Sequence, residues 1–271
     1  MSAPDAQFLL DALVAASLEA GAAILKVRAA GLSVQSKSDN SPVTEADRAA
    51  EAIIEARLAE VVPEIPVIGE EAVYDGRIPA TGDAFFLVDP LDGTREFVKG
   101  GRDFTVNIGL IRYGAPVLGV IYVPALGKLF GGVVGEGAWR TEVSDGLPGE
   151  RRPMRVRPMP DGPIDVVASR SHRTAETDAY IRRYDVGNLV NRGSSLKFCA
   201  VAEGKADLYP RMGTTMQWDT AAGDAILRAA GGKVVNLDGS PLTYGPTGKP
   251  GPEAFVSPWF IAAGNIDLVP A

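Results

Sequence analysis

The residues best able to do chemistry in this chain lie in "FFLVDPLDGTREF", positions 85–97. Asp89 and Asp92 stand three apart at the end of an apolar run, and Gly93 and Thr94 follow at once. Two carboxylates and the Leu91 carbonyl within four residues offer the hard oxygen donors that Mg²⁺ prefers. An Asp-Gly turn can also present backbone N–H groups to an anion. Asp-Gly alone is an ordinary solvated turn. A strand delivering two acids, a proline and a threonine together is a more specific pattern. Pro90 has no N–H to donate and is expected to end the strand's ladder.

What the chain lacks narrows the chemistry further. One histidine (His172) and one cysteine (Cys199) cannot assemble a zinc site from imidazole and thiolate ligands. A Ser-His-Asp triad could recruit only His172. A phosphoaspartyl route through Asp-x-Asp-Gly-Thr needs an acid two residues before Asp92, where this chain has Pro90. The formal net charge of −7 argues against a nucleic-acid or membrane partner, which calls for a basic face. A phosphate ester would therefore need local Lys and Arg, or divalent cations, to offset repulsion. The single cysteine precludes an intramolecular disulfide and fits a reducing, cytoplasmic compartment. The N-terminal stretch carries Asp5, Asp11 and Glu19 and no basic leader, so it reads as an amphipathic helix, not a signal peptide. No apolar run is expected to approach the roughly 20 residues that span a bilayer, so no stable membrane insertion is expected.

Several elements must position these side chains. Leu9, Leu13, Ala16, Ala20 and Ile24 recur at helical spacing over residues 5–29. A short extended piece near Val34 leads to the loop-like "KSDNSPVTEAD", and a second helix is expected from about Thr44 to Glu60. "PVIGEE", "AFFLVDP", "FTVNIGLI", "PVLGVIYVP" and "KLFGGVV" read as strands without intervening helices, which implies a largely antiparallel sheet. Residues 142–163 are rich in Pro, Gly and Arg and mark the expected boundary between an N-terminal α+β lobe, 1–150, and a C-terminal α/β lobe, 151–271. Beyond it, strand signals ("IDVVASR", "ADLYP", "KVVNL") alternate with helical ones (175–184, "SSLKFCAVAEG", "TAAGDAILRAAGG").

"DPLDGTREF", with "GEE" upstream and "WDTAAG" downstream, resembles the Mg²⁺-dependent, lithium-sensitive inositol monophosphatase superfamily. "KSDNSPVTEAD", "SRSH" and "GSSLKFCAVAEGKADLYPR" narrow the likeness to its 3′(2′),5′-bisphosphate nucleotidases of the CysQ type. Gly69 departs from the serine usual in that branch and matches the glycine common in inositol monophosphatases. The resemblance implies an α/β fold, the layered α-β-α-β-α sandwich of the sugar phosphatases, with the site between the lobes. It implies that Glu70, Asp89 and the Leu91 carbonyl hold one Mg²⁺, and Asp89, Asp92 and Asp219 a second. Glu71 would support the site or face solvent, with a third Mg²⁺ as a further role. A metal-activated water would attack phosphorus directly, with Thr94, hydrogen-bonded to Asp47, relaying its proton and Glu70 a second candidate base. Asp219 and the turn at Gly93 and Thr94 would also contact the substrate. His172, Ser194, Ser195, Lys197 and Arg211 would read a second phosphate or the adenine. The implied reaction is hydrolysis of adenosine 3′,5′-bisphosphate (PAP) to AMP and phosphate, with PAPS as a side substrate. The resemblance also implies a role in sulfate assimilation and inhibition by lithium and calcium; a monomer or homodimer is expected.

Each residue also has a simpler reading. Thr44-x-x-Asp47 has the outline of a capping box. Asp219, Ser194 and Ser195 could be helix caps. Lys37 could contact phosphate or lie on the surface, and Cys199 reads as a small buried apolar residue. Two alternatives to the nucleotidase remain: a sugar or polyol phosphatase, and a phosphatase-fold protein that senses nucleotides or joins RNA machinery.

Overall fold

The computed structural model describes residues 5–31, 34–36 and 42–270. Helix α1 (Ala6–Ala30) packs against helix α2 (Glu45–Val61). Between them in sequence lies a ribbon of β1 (Val34–Ser36) paired with β2 (Pro42–Thr44). Leu9, Leu13, Ala16, Ala20 and Ile24, the apolar stripe of α1, are all buried. By length and composition α1 could cross a membrane, with a mean hydropathy of 1.8 over its most apolar window. That corrects the expectation that no apolar run comes near such a length. Here half of that window is buried against the rest of the fold.

The first sheet contains β3 (Val67–Gly69), β4 (Ala84–Asp92), β5 (Thr105–Arg112), β6 (Ala115–Val123), β7 (Lys128–Val133), β8 (Gly137–Ser144), β9 (Leu147–Pro148) and β10 (Arg152–Met154). Their order is β10-β8-β7-β6-β5-β4-β3, with β9 also on β8. Only β3 and β4 run parallel. The Pro- and Gly-rich segment at 142–163 is thus not all linker. Its backbone pairs along β8, and the chain crosses to the second sheet between Met154 and Ile164. Short helices α3 (Glu70–Tyr74) and α4 (Thr94–Val98) follow β3 and β4.

The second sheet has the order β12-β11-β13-β15-β14. Its strands are β11 (Ile164–Ser169), β12 (Val186–Arg192), β13 (Leu208–Arg211), β14 (Lys233–Asn236) and β15 (Phe260–Ala263). Helices α5 (Ala175–Ile181), α6 (Leu196–Ala202) and α7 (Gln217–Ala229) complete the chain.

Three apolar layers fix the stacking. Leu13 and Ile54 from α1 and α2 meet Phe86, Val106 and Val120 on one face of the first sheet. Leu87, Ile111 and Ile121 on its other face meet Phe198, Trp218 and Ile226 of α6 and α7, which also touch Phe260 of the second sheet. Tyr180 and Ile181 of α5 cover the far face through Val166 and Leu208. The sequence of layers is α-β-α-β-α, as expected. It also explains the unbroken apolar run of β4. Phe86 and Val88 face α1 and α2 while Phe85 and Leu87 face α7, so both faces are buried.

Helix α7 lies close on the first sheet because that sheet offers glycines. A Cβ on Gly119 would stand 2.4 Å from the Ala222 carbonyl oxygen, and one on Gly109 2.8 Å from the Ala222 nitrogen. Gly119→Ala is expected to cost about 1–3 kcal/mol by overpacking. The thermal midpoint should fall by roughly 2–4 °C per kcal/mol in a protein of this size class. An unchanged midpoint would mean that α7 does not sit on Gly119.

Candidate active site

The geometry begins with a bulge in β4. Asp89 pairs with Asn107 and Asp92 pairs with Thr105, so two residues on β4 oppose one on β5 between them. Pro90 therefore interrupts the ladder instead of ending it, and pairing resumes at Asp92. Asp89 Oδ1 accepts from Leu91 N–H at 3.0 Å, which steadies the bulge. Gly93 then turns the chain with φ +95°, and a Cβ there would stand 2.5 Å from Ser194 Oγ. Glycine is required for both the conformation and the close approach. Thr94 opens α4 directly after it.

A cleft of about 420 Å³ lies at this turn. Glu70, Asp89, Leu91, Asp92, Gly93, Thr94 and Asp219 line it, with His172, Ser194, Ser195, Lys197 and Arg211. Of the residues expected at the two metal ions, in the proton relay or against substrate, Asp47 is off the lining, as is Glu71, the candidate for a third ion. Asp47 is buried, and its Oδ1 accepts from Thr94 Oγ1 at 3.2 Å. Its Oδ2 accepts from Thr44 N–H at 2.7 Å and Thr44 Oγ1 at 2.6 Å, and Thr44 caps α2. The capping box and the bond to Thr94 coexist, one carboxylate oxygen serving each.

Other sequence expectations shift in detail. The acid pair Glu70-Glu71 opens helix α3 and does not continue the strand. Glu71 is buried and is not part of the cleft lining, so neither a solvent-facing position nor a place in a third metal site fits. Asp219 is in the first turn of α7, not at its cap, and its Oδ2 accepts from Thr215 Oγ1 at 2.7 Å and Met216 N–H at 3.0 Å. The hydroxyls expected to receive an anion already donate to protein oxygens. Ser194 Oγ reaches the Asp92 and Asp103 carbonyls at 2.9 and 2.8 Å, and Ser195 Oγ reaches Asn107 Oδ1 at 2.7 Å. Ser195 N–H donates to Asp92 Oδ2 at 2.7 Å. The two serines thus build the Asp92 turn. Lys37 lies outside the described residues. Cys199 is buried, and burial pushes its thiol pKa up, as suits an inert packing residue.

Both signs of charge meet in the cleft. Burial and then the negative charge of Asp219 push the Asp92 carboxyl up to about 6, against the nearby charge of Lys197. Burial lowers the Lys197 ammonium to about 8, still charged near neutrality, and its Nζ donates to the Ser194 carbonyl. Arg211 is 7% exposed, and its Nη2 donates to the Thr214 carbonyl at 2.5 Å. Its Nε is buried with no hydrogen-bond partner among the described residues. His172 sits in the loop after β11, and partial burial, then Arg211, Arg95 and Lys197, lower its pKa.

The donor set suits a hard cation. It consists of the carboxylates of Glu70, Asp89, Asp92 and Asp219 and the Leu91 carbonyl, all oxygen. Among the described residues no three acidic, histidine or cysteine side chains converge into a closed metal cage. The acids nevertheless line one cleft, where a divalent cation would relieve the repulsion that Asp219 exerts on Asp92.

Three contributors escape a reading of the sequence. Asn107 joins Ser195 to the Asp92 turn and is the one polar, uncharged amide in the apolar "FTVNIGLI". Thr215, four residues before Asp219, holds its carboxylate. Glu51 is buried on α2, and its carboxylate accepts from Glu71 N–H at 2.8 Å and Ala72 N–H at 2.6 Å. Burial pushes Glu51 up to about 7 while those two amides pull the other way. Nothing in the pattern of α2 marks it.

Residues 5–255 match the inositol monophosphatase family. The chain belongs to that family. Among its relatives, this inositol monophosphatase family member is similar to the 3′(2′),5′-bisphosphate nucleotidase CysQ of Escherichia coli K12. The two are 42% identical over 254 residues, which cover 93% of this chain and 98% of that protein. The crystal structure of CysQ from Bacteroides thetaiotaomicron superposes with a TM-score of 0.74 at 40% identity, covering 95% of this chain and 98% of the other. An inositol monophosphatase from Anabaena superposes with a TM-score of 0.71 at 26% identity, covering 96% and 92%. The five-layer sandwich is the family's fold.

Proposed function

We propose that this chain is a Mg²⁺-dependent 3′(2′),5′-bisphosphate nucleotidase that converts adenosine 3′,5′-bisphosphate to AMP and phosphate, and PAPS to adenosine 5′-phosphosulfate as a second activity. The observation that carries this reading is that one cleft holds both the carboxylates and the buried cations Lys197 and Arg211, and that Arg211 Nε has no partner among the described residues. A substrate with two phosphates has use for metal-binding acids and for cations. A polyol monophosphate has little use for the cations. The name of the similar Escherichia coli nucleotidase supports the same substrate class. Gly69 favours the polyol reading in sequence, but it does not line the cleft and packs on Glu51, so its identity reflects packing and not substrate.

Metal dependence goes with the family. Two ions are proposed, one on Glu70, Asp89 and the Leu91 carbonyl, the other on Asp89, Asp92 and Asp219. When bound they polarise the phosphoryl group and acidify the attacking water. The chain's own residues do the rest. Thr94 Oγ1 donates to Asp47 Oδ1, which turns a lone pair of Oγ1 toward the cleft to take the water's proton. Glu70 is the alternative base. Asp219 and the backbone at Gly93 and Thr94 orient the phosphate under attack. Lys197 and Arg211 hold the other phosphate, and His172 closes on it from the loop after β11. Ser194 and Ser195 keep the Asp92 turn in place. The enzyme is proposed to act in the cytoplasm, on a free nucleotide, as a monomer or homodimer.

The test is phosphate release from adenosine 3′,5′-bisphosphate, AMP and inositol 1-phosphate with Mg²⁺, with and without Li⁺. Preference for inositol 1-phosphate would replace this reading with the polyol one. His172→Ala is expected to raise KM for the bisphosphate roughly 3- to 10-fold, the worth of one hydrogen bond to a neutral donor. Hydrolysis of inositol 1-phosphate should change little. Equal losses on both substrates would remove His172 from substrate selection.

A further inference from the structure

Helix α3 brings Glu70 to the cleft, yet it has no cap of its own. Its N-cap residue is Gly69, which offers no side-chain acceptor. The orphan amides of its first turn belong to Glu71 and Ala72, the N2 and N3 positions that an N-cap side chain normally serves. Both are served from another helix, by the two oxygens of Glu51. Gly69 is what lets Glu51 in. A Cβ at position 69 would stand 2.5 Å from both Cδ and Oε2 of Glu51. On its outer side Glu51 faces Arg77, whose Nη2 is 3.9 Å from Oε1, and Arg77 N–H returns to the Ala72 carbonyl at 2.8 Å. The carboxylate is thus held between the start of α3 and the turn that follows it.

We infer that Glu51 is a positioning residue which caps α3 in trans and so fixes the orientation of Glu70 in the cleft, and that Glu51 and Gly69 form one exchangeable unit with a serine cap at position 69. A serine there would supply the same two amides from the chain itself, but only if position 51 vacates the space. The capping part stands on geometry alone. The consequence for Mg²⁺ rests on the proposed role of Glu70.

The inference predicts a reciprocal rescue. Four full-length proteins are compared: wild type, Glu51→Ala, Gly69→Ser, and the double variant. In metal-free protein, amide exchange at Glu71 and Ala72 should accelerate roughly tenfold in Glu51→Ala, the loss of one helix cap. Gly69→Ser should also lose protection because its side chain meets Glu51. The double variant should recover most of it. Calorimetric Mg²⁺ affinity should follow the same order, weakening by roughly 10- to 100-fold in each single variant, as for a residue that orients a metal ligand. KM for the nucleotide should hold while kcat falls. Should either single variant fail to fold, Glu51→Gln takes its place. Its amide keeps the shape but sets NH₂ against one of the two N–H groups, so one of the amides should lose protection. Losses that simply add in the double variant, or unchanged exchange at Glu71 and Ala72 in Glu51→Ala or Glu51→Gln, would overturn the inference. Wild-type protein that binds no Mg²⁺ would instead overturn the metal reading, while the exchange data would still judge the cap.

Discussion

Asp89→Asn is expected to lower turnover on adenosine 3′,5′-bisphosphate by about 10³-fold or more at saturating Mg²⁺. The proposed site gives Asp89 to both ions, so losing its charge weakens two centres of Lewis-acid stabilisation. Such stabilisation is worth several kcal/mol, and each 1.36 kcal/mol is a factor of ten in rate. The fold should tolerate the change. The substituted side chain keeps the oxygen that accepts the Leu91 N–H, so the bulge at Pro90 has its hydrogen bond still. The melting midpoint of the metal-free protein should hold or rise, because one negative charge leaves a cleft where Asp219 already raises the pKa of Asp92. Phosphate release, Mg²⁺ calorimetry and thermal melting together check the prediction. Turnover near wild type would remove Asp89 from the metal site.

Much of this is legible in the sequence because the chemistry is local there. The strand, the two acids, the glycine and the threonine lie within "FFLVDPLDGT", and the structure needs only one bulge to present them. The layered fold follows from the order of strand and helix signals and from the family likeness. What stays hidden depends on contacts between distant segments. Ser194 and Ser195 read as anion receptors because hydroxyls before a helix often are, yet the Asp103 carbonyl, just before β5, and Asn107 Oδ1, within β5, occupy their protons from 91 and 88 residues away in sequence. Glu71 reads as a metal-site acid because it sits beside Glu70, and one step along a helix turns it away from the cleft. Strands β12 and β15 carry no strong alternation and give no signal of their own, although β15 completes the second sheet between β13 and β14. Gly69 reads as a clue to substrate because its partner, Glu51, lies on another helix.

The second large effect concerns the proton. Thr94→Val and Asp47→Asn are each expected to cost roughly 10²- to 10⁴-fold in kcat, the range of general-base assistance. The double variant should be no slower than the worse single one, since the two residues act as one relay. The geometry makes this a sharp test. Thr94 Oγ1 has one proton and two acceptors in reach, Asp47 Oδ1 at 3.2 Å and the Leu91 carbonyl at 3.1 Å. In Asp47→Asn the side-chain carbonyl would still face Thr44 and so preserve the cap of α2. The new NH₂ would then face Thr94 Oγ1 and donate, occupying the lone pair that must accept the water's proton and driving the hydroxyl proton toward Leu91. Thr94→Ser, which keeps the hydroxyl, should retain most activity. If the costs of Thr94→Val and Asp47→Asn multiply, the two do not form a relay, and Glu70 becomes the base.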